Sequence, residues 1–93
     1  MRTVYVSLPT VMDVKRFVEN ISSLKGDFDL IDGRYVVDAR SLMGIFGMDL
    51  TKPMQLRIHN DSKKALQAIQ SFVVEAPIAA IKEVQPRLTM EEI

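Results

Sequence analysis

The stretch Ser41-Leu42-Met43-Gly44-Ile45-Phe46-Gly47-Met48-Asp49-Leu50 constrains the fold more than any other part of the chain. It follows a β-type run from Arg34 to Asp38, and Ser41 stands where a short helix needs an N-cap, its hydroxyl placed to accept an orphan backbone N–H. Leu42, Met43, Ile45 and Phe46 make the block apolar, while Gly44 and Gly47 break it. A block this short and this interrupted cannot hold helical order alone in water. It must pack on a larger surface, and the alternating segments around it make that surface a sheet.

The remaining elements follow in chain order. Thr3-Val4-Tyr5-Val6-Ser7 is β-branched and aromatic, with Val4 and Val6 on one face and Tyr5 on the other, and Pro9 closes the strand. Thr10-Val11-Met12-Asp13 has the form of a capping box with Asp in place of Glu, so a helix should start here with a carboxylate in its positive first turn. Val14, Phe17, Val18, Ile21 and Leu24 form one apolar stripe, and Gly26 is the C-terminal signal. Phe28-Asp29-Leu30 alternates, Asp32-Gly33 is a pair that two-residue hairpins favour, and Tyr35-Val36-Val37 returns. After the short helix, Lys52-Pro53 marks a turn. Met54, Leu56 and Ile58 then alternate with polar neighbours and should face the core. Asn60-Asp61-Ser62 is a cap cluster before Ala65, Leu66, Ile69, Phe72 and Val73 at helical spacing, with Pro77 expected to end or kink that helix. The order β-α-β-β-α-β-α predicts an α+β fold: a four-stranded antiparallel sheet covered on one face by helices.

At 93 residues the chain is one domain, of a size that buries only about 60–65 per cent of its unfolded surface. The division expected is a folded unit over 1–76 and a C-terminal extension over 77–93. In the extension, Ile78 to Val84 could form further turns stopped by Pro86, and Leu88, Met90 and Ile93 should pack on the chain's own sheet or on a second copy. No apolar run is long enough to cross a bilayer and no leader pattern begins the sequence, so a cytoplasmic protein with no membrane partner is expected. A net charge of +0 leaves no electrostatic footprint for nucleic acid. Cysteine is absent, which removes thiolate metal sites, and the lone histidine, His59, sits at a strand end beside Asn60 and Asp61 with no ligand spacing around it. Neither a metal nor a cofactor is expected. His59 reads as an exposed or hydrogen-bonded strand-end residue. Paired carboxylates, a phosphate-cradling glycine loop and a nucleophile with its base are all missing from the sequence, and the chain is not expected to be an enzyme.

With Asp32-Gly33 in the hairpin and Arg40-Ser41-Leu42-Met43-Gly44-Ile45 leading into Leu50-Thr51-Lys52, the chain resembles the HPr family, the small phosphocarriers of the bacterial sugar phosphotransferase system. The resemblance runs from strand one to the end of the third helix. It implies the HPr-like open-faced β-sandwich and a phosphohistidine relay, in which a histidine just before the first helix, within a His-Ala-Arg-Pro motif, carries phosphate from enzyme I to sugar-specific proteins. It also implies a regulatory role for the serine that begins the short helix, which a dedicated kinase phosphorylates in many bacteria.

This chain departs from the family where the relay chemistry sits. Counting back from Ser41 without gaps places Thr10 at the histidine position, Met12 at the arginine and Asp13 at the proline. A threonine hydroxyl forms a stable phosphoester and not the labile phosphoramidate a relay needs. Asp13 adds negative charge where a phosphoryl group would otherwise be welcome.

Two expectations remain for the site. Ser41 is either a helix cap alone or also a regulatory phosphorylation site with Arg40 adjacent. Phosphate there would gain only about 0.3–1 kcal/mol from the helix dipole. Leu42, Met43, Ile45, Phe46 and Met48 cannot all enter the sheet from so short a helix, so a partner-binding face of Val11, Met12, Arg40, Leu42, Met43, Phe46 and Met48 is expected. It would take a protein partner, or a second copy to make a homodimer. The function this implies is an HPr-like binding or regulatory module without carrier activity. The alternative is a phosphocarrier that uses a non-standard residue.

Overall fold

The computed structural model of the chain describes residues 1–59 and 62–77. Among these residues five strands and three helices run in the order β1 (Arg2–Val6), α1 (Val11–Ser22), β2 (Phe28–Asp32), β3 (Tyr35–Asp38), α2 (Leu42–Phe46), β4 (Met54–Ile58), α3 (Lys63–Ile69) and β5 (Val73–Val74), with a 3-10 turn over Gln70–Phe72 between the last two. The α+β class expected from the sequence is what forms.

Strand order is β3-β2-β4-β1-β5, and every pairing is antiparallel. Because β4 lies between β1 and β2, the β1-α1-β2 unit is a split crossover whose gap the later strand fills. The β3-α2-β4 unit straddles β2 in the same way, so neither half of the sheet is complete without the other.

One core results. Val6 of β1, Phe28 and Leu30 of β2, and Met54, Leu56 and Ile58 of β4 are buried against Val14, Phe17 and Ile21 of α1, Ile45 of α2, and Ala65 and Ile69 of α3. The period-two alternation therefore sends one set of strand side chains to the helices, and among the described residues no helix covers the other sheet face. Phe17 meets Phe72 edge-on, with ring centroids 5.4 Å apart at 88°, an arrangement aromatic quadrupoles favour. No polar side chain among the described residues is buried. Packing, and not an internal polar network, holds these layers together.

Three local expectations are corrected. The sheet has five strands and not four, because Val73 and Val74 pair with Val6 and Tyr5 of β1, and two successive β-branched residues suit an extended edge better than a helix. The third helix ends at Ile69, well before Pro77: the Asn20 side chain donates to the Ala68 carbonyl at 3.0 Å, and the chain tightens into the 3-10 turn that still carries Phe72 into the core. In the hairpin, Asp32 pairs with Tyr35, so the two loop residues are Gly33 and Arg34. Only glycines among the described residues have positive φ, and Gly33 does at 61°. That is the type II′ pattern with glycine first, where an Asp-Gly turn would have needed Asp32 itself in the left-handed region. The expectations for Ile78 to Val84, Pro86, Leu88, Met90 and Ile93, and for Asn60 and Asp61, lie outside the described residues.

Candidate functional site

The junction of β1 with α1 is built as the sequence suggests. Thr10 is the extended N-cap; its Oγ1 accepts the Asp13 N–H at 3.1 Å and donates to Asp13 Oδ2 at 2.7 Å, and its own N–H donates to the same Oδ2 at 3.2 Å. Arg16 closes on the other carboxylate oxygen at 2.8 Å. The Thr10 hydroxyl, then the Arg16 guanidinium, hold the Asp13 carboxyl below its ordinary value. The proton of Thr10 is thus directed at a weak base, and the arginine that could greet a phosphoryl group is held by a carboxylate. Chemically this is a closed cap.

Ser41 caps α2 by accepting the Gly44 N–H at 3.2 Å and is itself exposed. Gly44 keeps that contact uncrowded, since a Cβ there would stand 3.0 Å from Ser41 Oγ and 3.4 Å from Val37 Cβ. Beyond the helix, Asp49 accepts the Thr51 N–H at 3.0 Å as the chain turns toward Pro53. The Thr51 hydroxyl, then its N–H, hold the Asp49 carboxyl below its ordinary value.

The expected partner-binding residues divide three ways. Val11 at 56%, Met12 at 57% and Met43 at 78% exposure are open to solvent. Leu42 and Phe46 are half-buried and pack on the core, and Met48 is buried within it. Arg40 is structural: its guanidinium donates to the Leu24 carbonyl just past α1 and lies 4.8 Å over the Phe28 ring, while its N–H is taken by Asp38 Oδ1. It is therefore committed and not poised beside Ser41 to receive phosphate. Since α1 and α2 contact one another, the three exposed side chains sit on neighbouring helices.

His59 is elsewhere. Its Nε2 lies 2.9 Å from Asp29 Oδ2, and Asp29 alternates with the buried Phe28 and Leu30, which puts the pair on the sheet face turned away from the helices. The strand-end histidine is hydrogen-bonded, far from the first-helix mouth in fold terms. Sequence reasoning missed its partner because Asp29 is thirty residues away and becomes adjacent only through the β2–β4 ladder. Among the described residues no group of three or more metal-binding side chains forms, and no helix is long and apolar enough to cross a membrane. No protein-family model matches the sequence, and no curated protein matches it.

Proposed function

We propose that this chain is an HPr-like binding or regulatory module of the cytoplasm, without phosphohistidine carrier activity, that docks a protein partner through the face shared by α1 and α2. The observation that carries the reading is the exposure of three large apolar side chains, Val11, Met12 and Met43, on two touching helices. Exposed apolar side chains grouped on one face mark interaction surfaces, and methionine adapts to varied partners. The element order through β4, the antiparallel sheet and the helices on a single side support the family resemblance. The closed cap at Thr10 supports the loss of relay chemistry at that position.

Incubation with phosphoenolpyruvate and enzyme I, followed by intact mass measurement, is expected to leave the mass unchanged. An acid-labile adduct would overturn the reading in favour of a carrier that uses another residue. The exposed hydroxyl of Ser41 favours a second, narrower reading, regulation by phosphorylation. It requires a phosphate adduct with HPr kinase and ATP that disappears in Ser41→Ala. Light scattering of the chain and of Met43→Glu tests self-association: a dimer mass lost in the variant assigns the face to a second copy, and a monomer mass in both excludes one.

A further inference from the structure

The methionines of the folded layers sort into two environments. Met48 and Met54 are core side chains, 8% and 1% exposed, and an oxidant in solution reaches their sulfur only when the fold opens. Met12 and Met43 are 57% and 78% exposed, and each is the second residue of its helix, on the two helices that touch. Met1 is exposed ahead of β1, and Met90 lies outside the described residues. The chain has no cysteine, so no thiolate competes with these thioethers for an oxidant. Neither exposed sulfur is needed for the fold. The helix starts are held by Thr10 and Ser41, which accept the Asp13 and Gly44 N–H groups, and the buried faces of α1 and α2 are Val14, Phe17, Ile21 and Ile45. A change confined to Met12 and Met43 alters the surface and leaves the scaffold that presents it.

We propose that Met12 and Met43 are a modification site for hydroperoxides, and that their conversion to the sulfoxide switches off apolar docking at the α1–α2 face. The second half rests on the docking reading given above; the first half does not. A sulfur lone pair attacks one peroxide oxygen and the O–O bond breaks. The proton on the transferred oxygen passes to the departing one, which leaves as water or an alcohol, so sulfur is oxidised by two electrons and the peroxide reduced by two. The product is a polar, chiral side chain with an acceptor oxygen where the surface had a soft apolar thioether. An apolar partner seated over that oxygen would strip its water and return no hydrogen bond, which weakens docking. The reverse step takes two thiols through a methionine sulfoxide reductase; they close to a disulfide as the oxygen leaves as water.

Full-length protein treated with hydrogen peroxide and mapped by peptide mass is expected to gain oxygen at Met12 and Met43 first. Met48 and Met54 should react more than about tenfold more slowly, through openings of the fold, and should catch up in urea. Met12 or Met43 as slow as the buried pair would overturn the site. Retention on a hydrophobic-interaction column reads the switch. The untreated chain should be retained more strongly than Met43→Glu; equal retention of the two would sink the docking reading, and the switch with it. Oxidised wild type should elute early with its far-ultraviolet circular dichroism unchanged, and regain its retention with the reductases and thiol. Where untreated wild type does exceed Met43→Glu, an oxidised chain that is still fully retained, or that is unfolded or not restored, would overturn the switch and leave the docking reading standing. The double variant Met12→Leu/Met43→Leu keeps volume and helix propensity and still holds Met1 and Met90. It should be retained and show no shift on oxidation; a shift equal to that of wild type would assign the effect to other methionines and overturn the proposal.

Discussion

Thr10 offers the sharpest test, because its hydroxyl is read as a helix cap where the family resemblance would put a phosphate carrier. Thr10→Ala removes the acceptor of the Asp13 N–H and the donor to the Asp13 carboxylate, but leaves the bond from its own N–H to that carboxylate. The site is exposed, so water partly replaces what is lost, and the expected cost is about 1 kcal/mol, typical of an N-cap truncation. In a domain of this size that is a fall in Tm of roughly 4–8 °C. Thr10→Ser keeps the oxygen and should lose little. The pH dependence follows from Asp13, whose carboxyl the Thr10 hydroxyl and Arg16 hold below its ordinary value of 3.8. A carboxyl lowered on folding stabilises fully above its unfolded value, and that contribution disappears as pH falls through the folded one. The gap between wild type and Thr10→Ala should accordingly be open at neutral pH and narrow below pH 3.8 as Asp13 is protonated. Thermal unfolding followed by circular dichroism across that range reads both quantities. An unchanged Tm for Thr10→Ala at neutral pH, or equal losses for the Ala and Ser variants, would refute the assignment of Thr10 as a cap.

Arg40→Met should cost about 2–4 kcal/mol in urea unfolding, the combined scale of a charged hydrogen bond and a cation–π interaction; stability equal to wild type would contradict the structural role given to its guanidinium. Gly33→Ala places a side chain at φ 61° in open space, so its cost should be purely conformational, about 1–2 kcal/mol by thermal unfolding, and should vanish with D-alanine introduced by chemical synthesis. Gly44→Ala should gain less than the roughly 1 kcal/mol that helix propensity allows, because its Cβ crowds Ser41 Oγ. In a Ser41→Ala background the same change should become more favourable, and additive effects on Tm would show that the crowding is not felt.

Most of the secondary structure was legible in the sequence because each element carries its own local signal. The Thr10 and Ser41 caps depend on hydrogen bonds spanning three residues, and the Met54, Leu56 and Ile58 alternation depends only on strand period. Those features are settled within a few residues of chain, and so was the α+β class that follows from their order. What the tertiary structure alone decided is wherever a residue answers to something distant. Val73 left the helical stripe because β1 offered an edge to pair with, and α3 stopped at Ile69 where Asn20, far back in the chain, reaches a late carbonyl of that helix. Met48 went into the core and Arg40 was bound by Leu24 and Phe28, partners no spacing rule contains. His59 acquired Asp29 only once the register of the sheet was fixed. Local bonding writes itself into neighbouring residues; long-range packing is chosen by free energy summed over the whole fold, and its partners are named only when the layers close.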